Sequence, residues 1–416
     1  MNSQVKQWFC CCSFFRDIHA GVIGVGLFLL LAVGNLNAIE WSLNSSLHTS
    51  YGYNDNRFLT IQPETVSSVV IQPDINFRAE EKNWETMFKA RLRSNNYSDS
   101  KLDSDDQYYM ANGSYRSERE TYSIKGSYDL KSNLDTESSD FGLSNVRINR
   151  TTTTISPSYS YMLTERLQSS LSYTMTESKY DDSVSADFVS YEIDTGSASL
   201  EYSLSERNKL NASVQYMDYL SLNGLSEYQL LTLRAGLSRQ FTENFMADFQ
   251  IGTSERDVIN RNTSTIDFFG TLISLTQESG FNDSGFVVDA GFELKTELGA
   301  LTGKLSRDNV TSSYGGVNEV DTLRLGYNKR LSDRWGFGLD GKYEKTEAII
   351  TSTSFTDRNS LMINTRIDYS LDRDWKITAS WRYLEREFIT QNQTDVPTSN
   401  KLYIGMTYNF SELSTF

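Results

Sequence analysis

From residue 40 onward the chain alternates apolar and polar residues in runs of about 10–14, with short turns between the runs. Trp375, Ile377, Ala379, Trp381 and Tyr383 fall on one face of such a run, and Lys376, Thr378, Ser380 and Arg382 on the other. Leu361, Ile363, Thr365, Ile367 and Tyr369 oppose Met362, Asn364, Arg366 and Asp368. Phe286, Val288, Ala290, Phe292 and Leu294 oppose Val287, Asp289, Gly291 and Glu293. A period of two is that of a β-strand with one apolar and one wet face. Runs of this length match the 9–11 residues that a tilted strand needs to cross a bilayer, with rims to spare.

A recurring turn punctuates the runs. It reads Leu163-Thr164-Glu165-Arg166, Leu204-Ser205-Glu206-Arg207, Phe241-Thr242-Glu243-Asn244, Leu331-Ser332-Asp333-Arg334 and Leu371-Asp372-Arg373-Asp374. Ser117-Glu118-Arg119 is a weaker copy, Leu298-Gly299-Ala300-Leu301 a degenerate one, and Glu80 to Asn83 the first. The repeat is about 40 residues, one long hairpin each. Between the turns lie longer polar segments at 54–68, 96–106, 132–148, 181–190, 258–282, 348–357 and 389–398. Short turns at one end and long loops at the other are the two rims of a membrane barrel, periplasmic and extracellular. Aromatic residues crowd the short turns: Trp84, Tyr122, Phe245, Trp335 and Trp375 follow one, and Tyr161 and Phe241 precede one. Amphipathic rings favour the headgroup level. The expected fold is therefore all-β: a transmembrane, antiparallel, up-and-down β-barrel of about 18 strands, within a range of about 16–18. The segment 258–282 is open: Thr265 to Thr276 reads as an extra strand or as a long loop folding into the lumen.

Composition supports this reading. Only 38% of residues are hydrophobic while 12% are aromatic. A soluble core of this size needs more aliphatic residues, and a disordered chain carries fewer rings. After residue 38 no stretch approaches the ~20 apolar residues of a membrane helix. A soluble β-propeller also repeats at about 40 residues, but it needs four short strands per repeat rather than two long ones. The net charge of −15 disfavours nucleic acid as a partner.

Residues 1–38 read as a cleaved signal peptide, leaving 39–416 as the barrel. A polar, slightly basic stretch precedes the apolar run Ala20 to Val33, and Ala38 is the expected last residue of the leader. All three cysteines, Cys10, Cys11 and Cys12, lie before that run, so the mature chain has neither disulfides nor thiol chemistry. The last strand runs Leu402 to Phe410, ending on an aromatic residue. Such an ending resembles the signal read by the outer-membrane assembly machinery.

Motifs for catalysis are nearly absent. The mature chain has one histidine, His48, beside Ser45 and Ser46, and it reads as a rim or lumen residue rather than a general base. Nothing suggests zinc, a phosphate-binding loop or any cofactor. The acidic loop holding Asp103, Asp105 and Asp106 is a candidate for divalent cations that bridge lipopolysaccharide, against the plainer reading of solvated acids. Arg91, Arg93, Arg324, Arg366, Arg382 and Arg386 share the inward phase of early and late strands. The first and last strands must meet at closure, so these arginines are candidate solute contacts, forming a basic strip along one wall. The alternative is mixed charge that hydrates and cross-links the lumen.

The immediate strand at Trp41, the Leu-Ser-Glu/Asp-Arg turns and the Tyr408-Asn409-Phe410 finish resemble the β-barrel porins found with bacterial exopolysaccharide gene clusters, the porin family 2 type. The resemblance spans nearly the whole mature chain; the six residues after Phe410 depart from it. It implies a non-enzymatic channel in the bacterial outer membrane that takes part in polysaccharide export, with polysaccharide, periplasmic export proteins, lipopolysaccharide and the assembly machinery as partners. A general diffusion porin and an occluded structural or adhesion barrel are the competing expectations. A porin would usually show a long loop folded into its lumen, and 258–282 is the only candidate for it.

Overall fold

A computed structural model describes residues 39–132, 147–181, 188–268, 271–311, 317–348, 357–389 and 394–415. The expected leader lies outside these residues. The chain forms one antiparallel sheet of 20 segments. Two of these, Thr394–Asp395 and Leu413–Ser414, are only two residues long, which leaves 18 barrel strands among the described residues. The first six are β1 (Glu40–Asn54), β2 (Val66–Glu81), β3 (Trp84–Tyr97), β4 (Ser104–Arg116), β5 (Glu120–Ser132) and β6 (Asn149–Met162). Next come β7 (Leu167–Tyr180), β8 (Tyr191–Ser205), β9 (Asn208–Ser221), β10 (Ser226–Thr242), β11 (Phe245–Phe268) and β12 (Thr271–Thr296). The last six are β13 (Gly299–Thr311), β14 (Val317–Arg330), β15 (Trp335–Ala348), β16 (Asp357–Ser370), β17 (Trp375–Ile389) and β18 (Thr398–Asn409).

Each strand pairs with its neighbours in sequence, and β1 pairs with β18 from Ser46↔Asn409 to Asn54↔Lys401. The sheet is thus closed, leaving no edge to template aggregation. The six-residue tail does not hang free. Phe410 donates its backbone N–H to Ser45, Leu413 and Ser414 pair with Leu43 and Ser42, and Thr415 bonds to Trp41. This covers the lower end of β1, which β18 is too short to reach.

Alternation sets the two faces. Leu233, Leu237, Phe249, Ile251, Leu305, Leu323 and Ile404 are exposed on the outside, Ile404 at 63%. Their sequence neighbours Arg234, Asp248, Lys304, Arg324 and Tyr403 point into the lumen. A closed barrel with an apolar outer belt and a polar interior is the β structure that spans a bilayer, because its strands pair their backbones with one another and leave no open edge. The chain is an integral β-barrel of the outer-membrane type.

The repeated turn has a physical basis in its second residue. Thr164 accepts backbone N–H bonds from Arg166 and Leu167 at 3.2 and 3.0 Å, and Ser332 from Arg334 and Trp335 at 3.3 and 3.1 Å. Asp372 accepts from Asp374 and Trp375, both at 2.8 Å. A short oxygen-bearing side chain thus satisfies donors that the ladder leaves open. Beside these turns outward rings pair: Trp335 with Tyr369 and Trp375 with Tyr408, both at 4.6 Å, and Tyr122 with Tyr159 at 4.8 Å. They form the girdle at the short-turn rim.

Segment 258–282 resolves differently from either expectation. It is neither an extra strand nor an inward loop. β11 and β12 stay in register from Phe245↔Leu294 to Phe268↔Thr271. β10 ends its pairing at Asn260, and β13 at Val288. Beyond those points the hairpin is a two-stranded ribbon longer than the wall around it.

Candidate functional site

The lumen carries three distinct surfaces. The first is a charged wall that runs from β12 through the seam to β3. Arg91 on β3 meets Asp74 on β2 at 2.7 Å, and Arg93 lies 4.0 Å from Asp106. Arg324 meets Asp340 at 2.9 Å, and Arg366 meets Asp368 at 3.0 Å. Lys376 reaches the same Asp368 at 3.3 Å, and Lys304 pairs with Asp289 at 2.7 Å. The structure does bring the early and late arginines onto one wall, as closure required. It also interleaves them with carboxylates, so four of the six arginines, Arg91, Arg93, Arg324 and Arg366, face an opposite charge. Arg382 is exposed and in no ion pair among the described residues. Arg386 differs from the other five: it is only 3% exposed, at the loop end of β17, with Glu344 as a charged neighbour.

The second surface is uncharged. Over β6–β9 the inward positions Thr152 to Ser160, Ser170 to Ser178, Thr195 to Ser199 and Asn211 to Gln215 hold hydroxyls and amides. Cross-strand hydroxyl bonds tie them: Thr154 to Thr176 at 3.3 Å, Ser156 to Thr174 at 3.0 Å and Ser160 to Ser170 at 2.9 Å. Ser158 and Ser172 face one another in the ladder but bond sideways, to Ser123 and Ser197, at 2.6 Å each.

The third surface is a hairpin folded inward. Past Arg307 the strand β13 leaves β12 and pairs only with β14, whose matching arm is Val317–Val320. These two arms reach residues two and three strands away, all on the lumenal face. Asp308 meets Arg234 of β10 at 2.7 Å, and Asn309 donates to Ser254 of β11 at 2.9 Å. Thr311 bonds to Tyr228 of β10, and Glu319 meets Arg256 of β11 at 3.2 Å. Arg256 is 3% exposed and also holds Asp283 at 2.9 Å. Val317 is 2% exposed within a buried cluster of Tyr180, Tyr191, Tyr219, Tyr228, Val258 and Ile148. The rings of Tyr219 and Tyr228 stack at 4.4 Å. Burial of this apolar face and two charged contacts hold the hairpin against the inner wall. The inward element expected at 258–282 is therefore the β13–β14 hairpin. Sequence reading missed it because 308–320 is short and polar, although Val317 and Val320 are an apolar signal at its returning arm.

His48 points into the lumen from β1. Its Nδ1 lies 2.8 Å from Thr407 Oγ1, and its Nε2 bonds to the Tyr403 hydroxyl across the seam. It is a seam residue of the lumen wall. In the acidic loop Asp103 accepts from the Tyr97 N–H at 2.7 Å, and Asp105 from Ser94 at 2.7 Å. Asp106 accepts from Asn95 at 3.0 Å. Asp105 and Asp106 face opposite sides of β4, outside and lumen, and no group of three or more such ligands among the described residues is arranged for a metal ion.

No family model matches the chain, and no curated protein matches it. Among solved structures it is similar to Pseudomonas aeruginosa OccK2 (OpdF) in complex with glucuronate, at 12% identity over 92% of this chain and 100% of that one, with a TM-score of 0.48. Acinetobacter baumannii OccAB2 is 10% identical over 89% of this chain and 98% of that one, with a TM-score of 0.47. The ferric-catecholate import receptor Fiu from E. coli K12 is 8% identical over 88% and 81%, with a TM-score of 0.47. Likeness at this level concerns general barrel form and not cargo.

Proposed function

We propose that the chain is a non-enzymatic channel through which small hydrophilic solutes diffuse across the outer membrane. The observation that carries this reading is the β13–β14 hairpin, pinned to the inner wall by Arg234, Ser254 and Arg256. An 18-strand barrel encloses a wide aqueous space unless something fills it. The two arms of the hairpin, packed on the lumenal face, take up part of that space. Export of a bulky polymer, the function implied by the exopolysaccharide resemblance, fits a narrowed lumen less well.

Conductance of the purified barrel in planar bilayers tests the proposal. The expected result is a steady open-channel current that the cell's own polysaccharide does not block. Absence of current favours a structural barrel. Block by the polymer restores the export reading. Either result overturns diffusion of small solutes.

A further inference from the structure

The charged and uncharged walls of the lumen divide the labour of contact unequally. Each strand from β12 to β17 places a charged residue inward: Asp289, Lys304, Arg324, Asp340, Arg366 and Lys376. Each of these six charges is matched by an opposite one at 2.7–3.3 Å, while the inward Arg382 on β17 is in no ion pair among the described residues. Paired charges present little net field to a passing ion. Opposite in character, the middle of β6–β9 carries no charge at all over four adjacent strands. A lumen that needed only hydration would have no reason to segregate the two.

A hydroxyl has one donor and two acceptor sites. In the rungs Thr154–Thr176 and Ser156–Thr174 one donor is spent on the partner, and in the Ser172–Ser197 pair likewise. The second donor and most of the lone pairs remain. These side chains are half-buried, so their free sites open on the lumen. A solute rich in hydroxyls can exchange its water for such sites bond for bond. A solute with ether oxygens but few donors finds only one free donor in each rung and leaves most of the wall's acceptors unused, so less of its hydration is replaced.

We propose that the β6–β9 wall is a contact surface for uncharged polyhydroxylated solutes, the class of neutral polyols and monosaccharides, and that the channel sorts neutral solutes by their hydroxyl groups rather than ions by their charge. This rests on the diffusion-channel reading and names its substrate class.

The test is osmotic swelling of liposomes holding the full barrel, with xylose and triethylene glycol as probes. The two are close in mass, but xylose carries more hydroxyls; barrel-free liposomes correct for leakage through lipid. The native barrel is expected to admit xylose at least about fivefold faster, the equivalent of one net hydrogen bond. A Thr154→Val, Ser156→Ala, Thr174→Val, Thr176→Val variant is expected to lose that preference. Should that variant fail to fold, as judged by heat-modified mobility, the milder Ser156→Ala, Thr174→Val pair is expected to reduce the ratio. Equal entry of both solutes through a conducting native barrel overturns this inference and leaves the channel reading standing. So does a folded variant with an unchanged ratio, which would make the hydroxyl rungs purely structural cross-strand pairs. Absence of conductance overturns both.

Discussion

Single residues in this barrel act through the polar groups they satisfy. Ser332 closes its turn with two backbone bonds, and Asp372 does the same forty positions on. Ser332→Ala is expected to lower stability by about 1 kcal/mol, measured by urea unfolding of the reconstituted barrel, and Ser332→Asp to restore it. Arg256 is the most consequential lumen residue. Its guanidinium spans Asp283 and Glu319, so it ties the ribbon, the wall and the inward hairpin together. Arg256→Met leaves Asp283 without its cation and Glu319 with Arg307 alone, in a partly buried site. The expected outcome is a larger and noisier single-channel current, as the hairpin loses one of its anchors. An unchanged current trace would show that the tyrosine cluster alone holds it.

At the scale of the element, two hairpins that look alike in sequence differ in role. The β11–β12 ribbon rises past its neighbours, while the β13–β14 hairpin turns into the lumen. Shortening the ribbon within 262–274 is expected to leave conductance unchanged. Replacing 309–319 by a two-residue turn is expected to raise it severalfold in the same bilayer assay. The reverse pattern would move the constriction back to the ribbon. The tail is an element as well. Truncation after Phe410 uncovers β1 from Trp41 to Asn44, and the truncated barrel is expected to lose its compact gel mobility at a lower temperature.

The whole molecule sets the ion selectivity, since a pore reads the sum of its walls. Arg91, Arg324 and Arg366 are all matched by carboxylates while Arg382 is not, so the reversal potential in a salt gradient is expected to show only weak ion selectivity. Arg366→Ala removes one positive charge and frees Asp368 from one of its two cations. The channel should then shift toward cations, and by less at high salt as screening grows.

Strand identity, face and rim were all legible in the sequence. Trp375 to Tyr383 show their faces by alternation alone, and the turn at Leu331-Ser332-Asp333-Arg334 carries its own hydrogen-bond acceptor. These are local properties: a period of two and a turn of four residues need no knowledge of the rest of the chain. Three features were decided only by the tertiary structure. Arg366 reads as a free lumen cation until its ion pair with Asp368 is seen. The uncharged wall appears only when four strands are laid side by side. The inward path of the β13–β14 hairpin depends on Thr311 meeting Tyr228, 83 residues earlier, and on Glu319 meeting Arg256, 63 residues earlier. Such contacts follow from barrel closure and from the burial of Val317 against distant tyrosines. The alternating runs and their turns therefore determined that this chain closes into a barrel; only packing across the lumen placed the β13–β14 arms inside it.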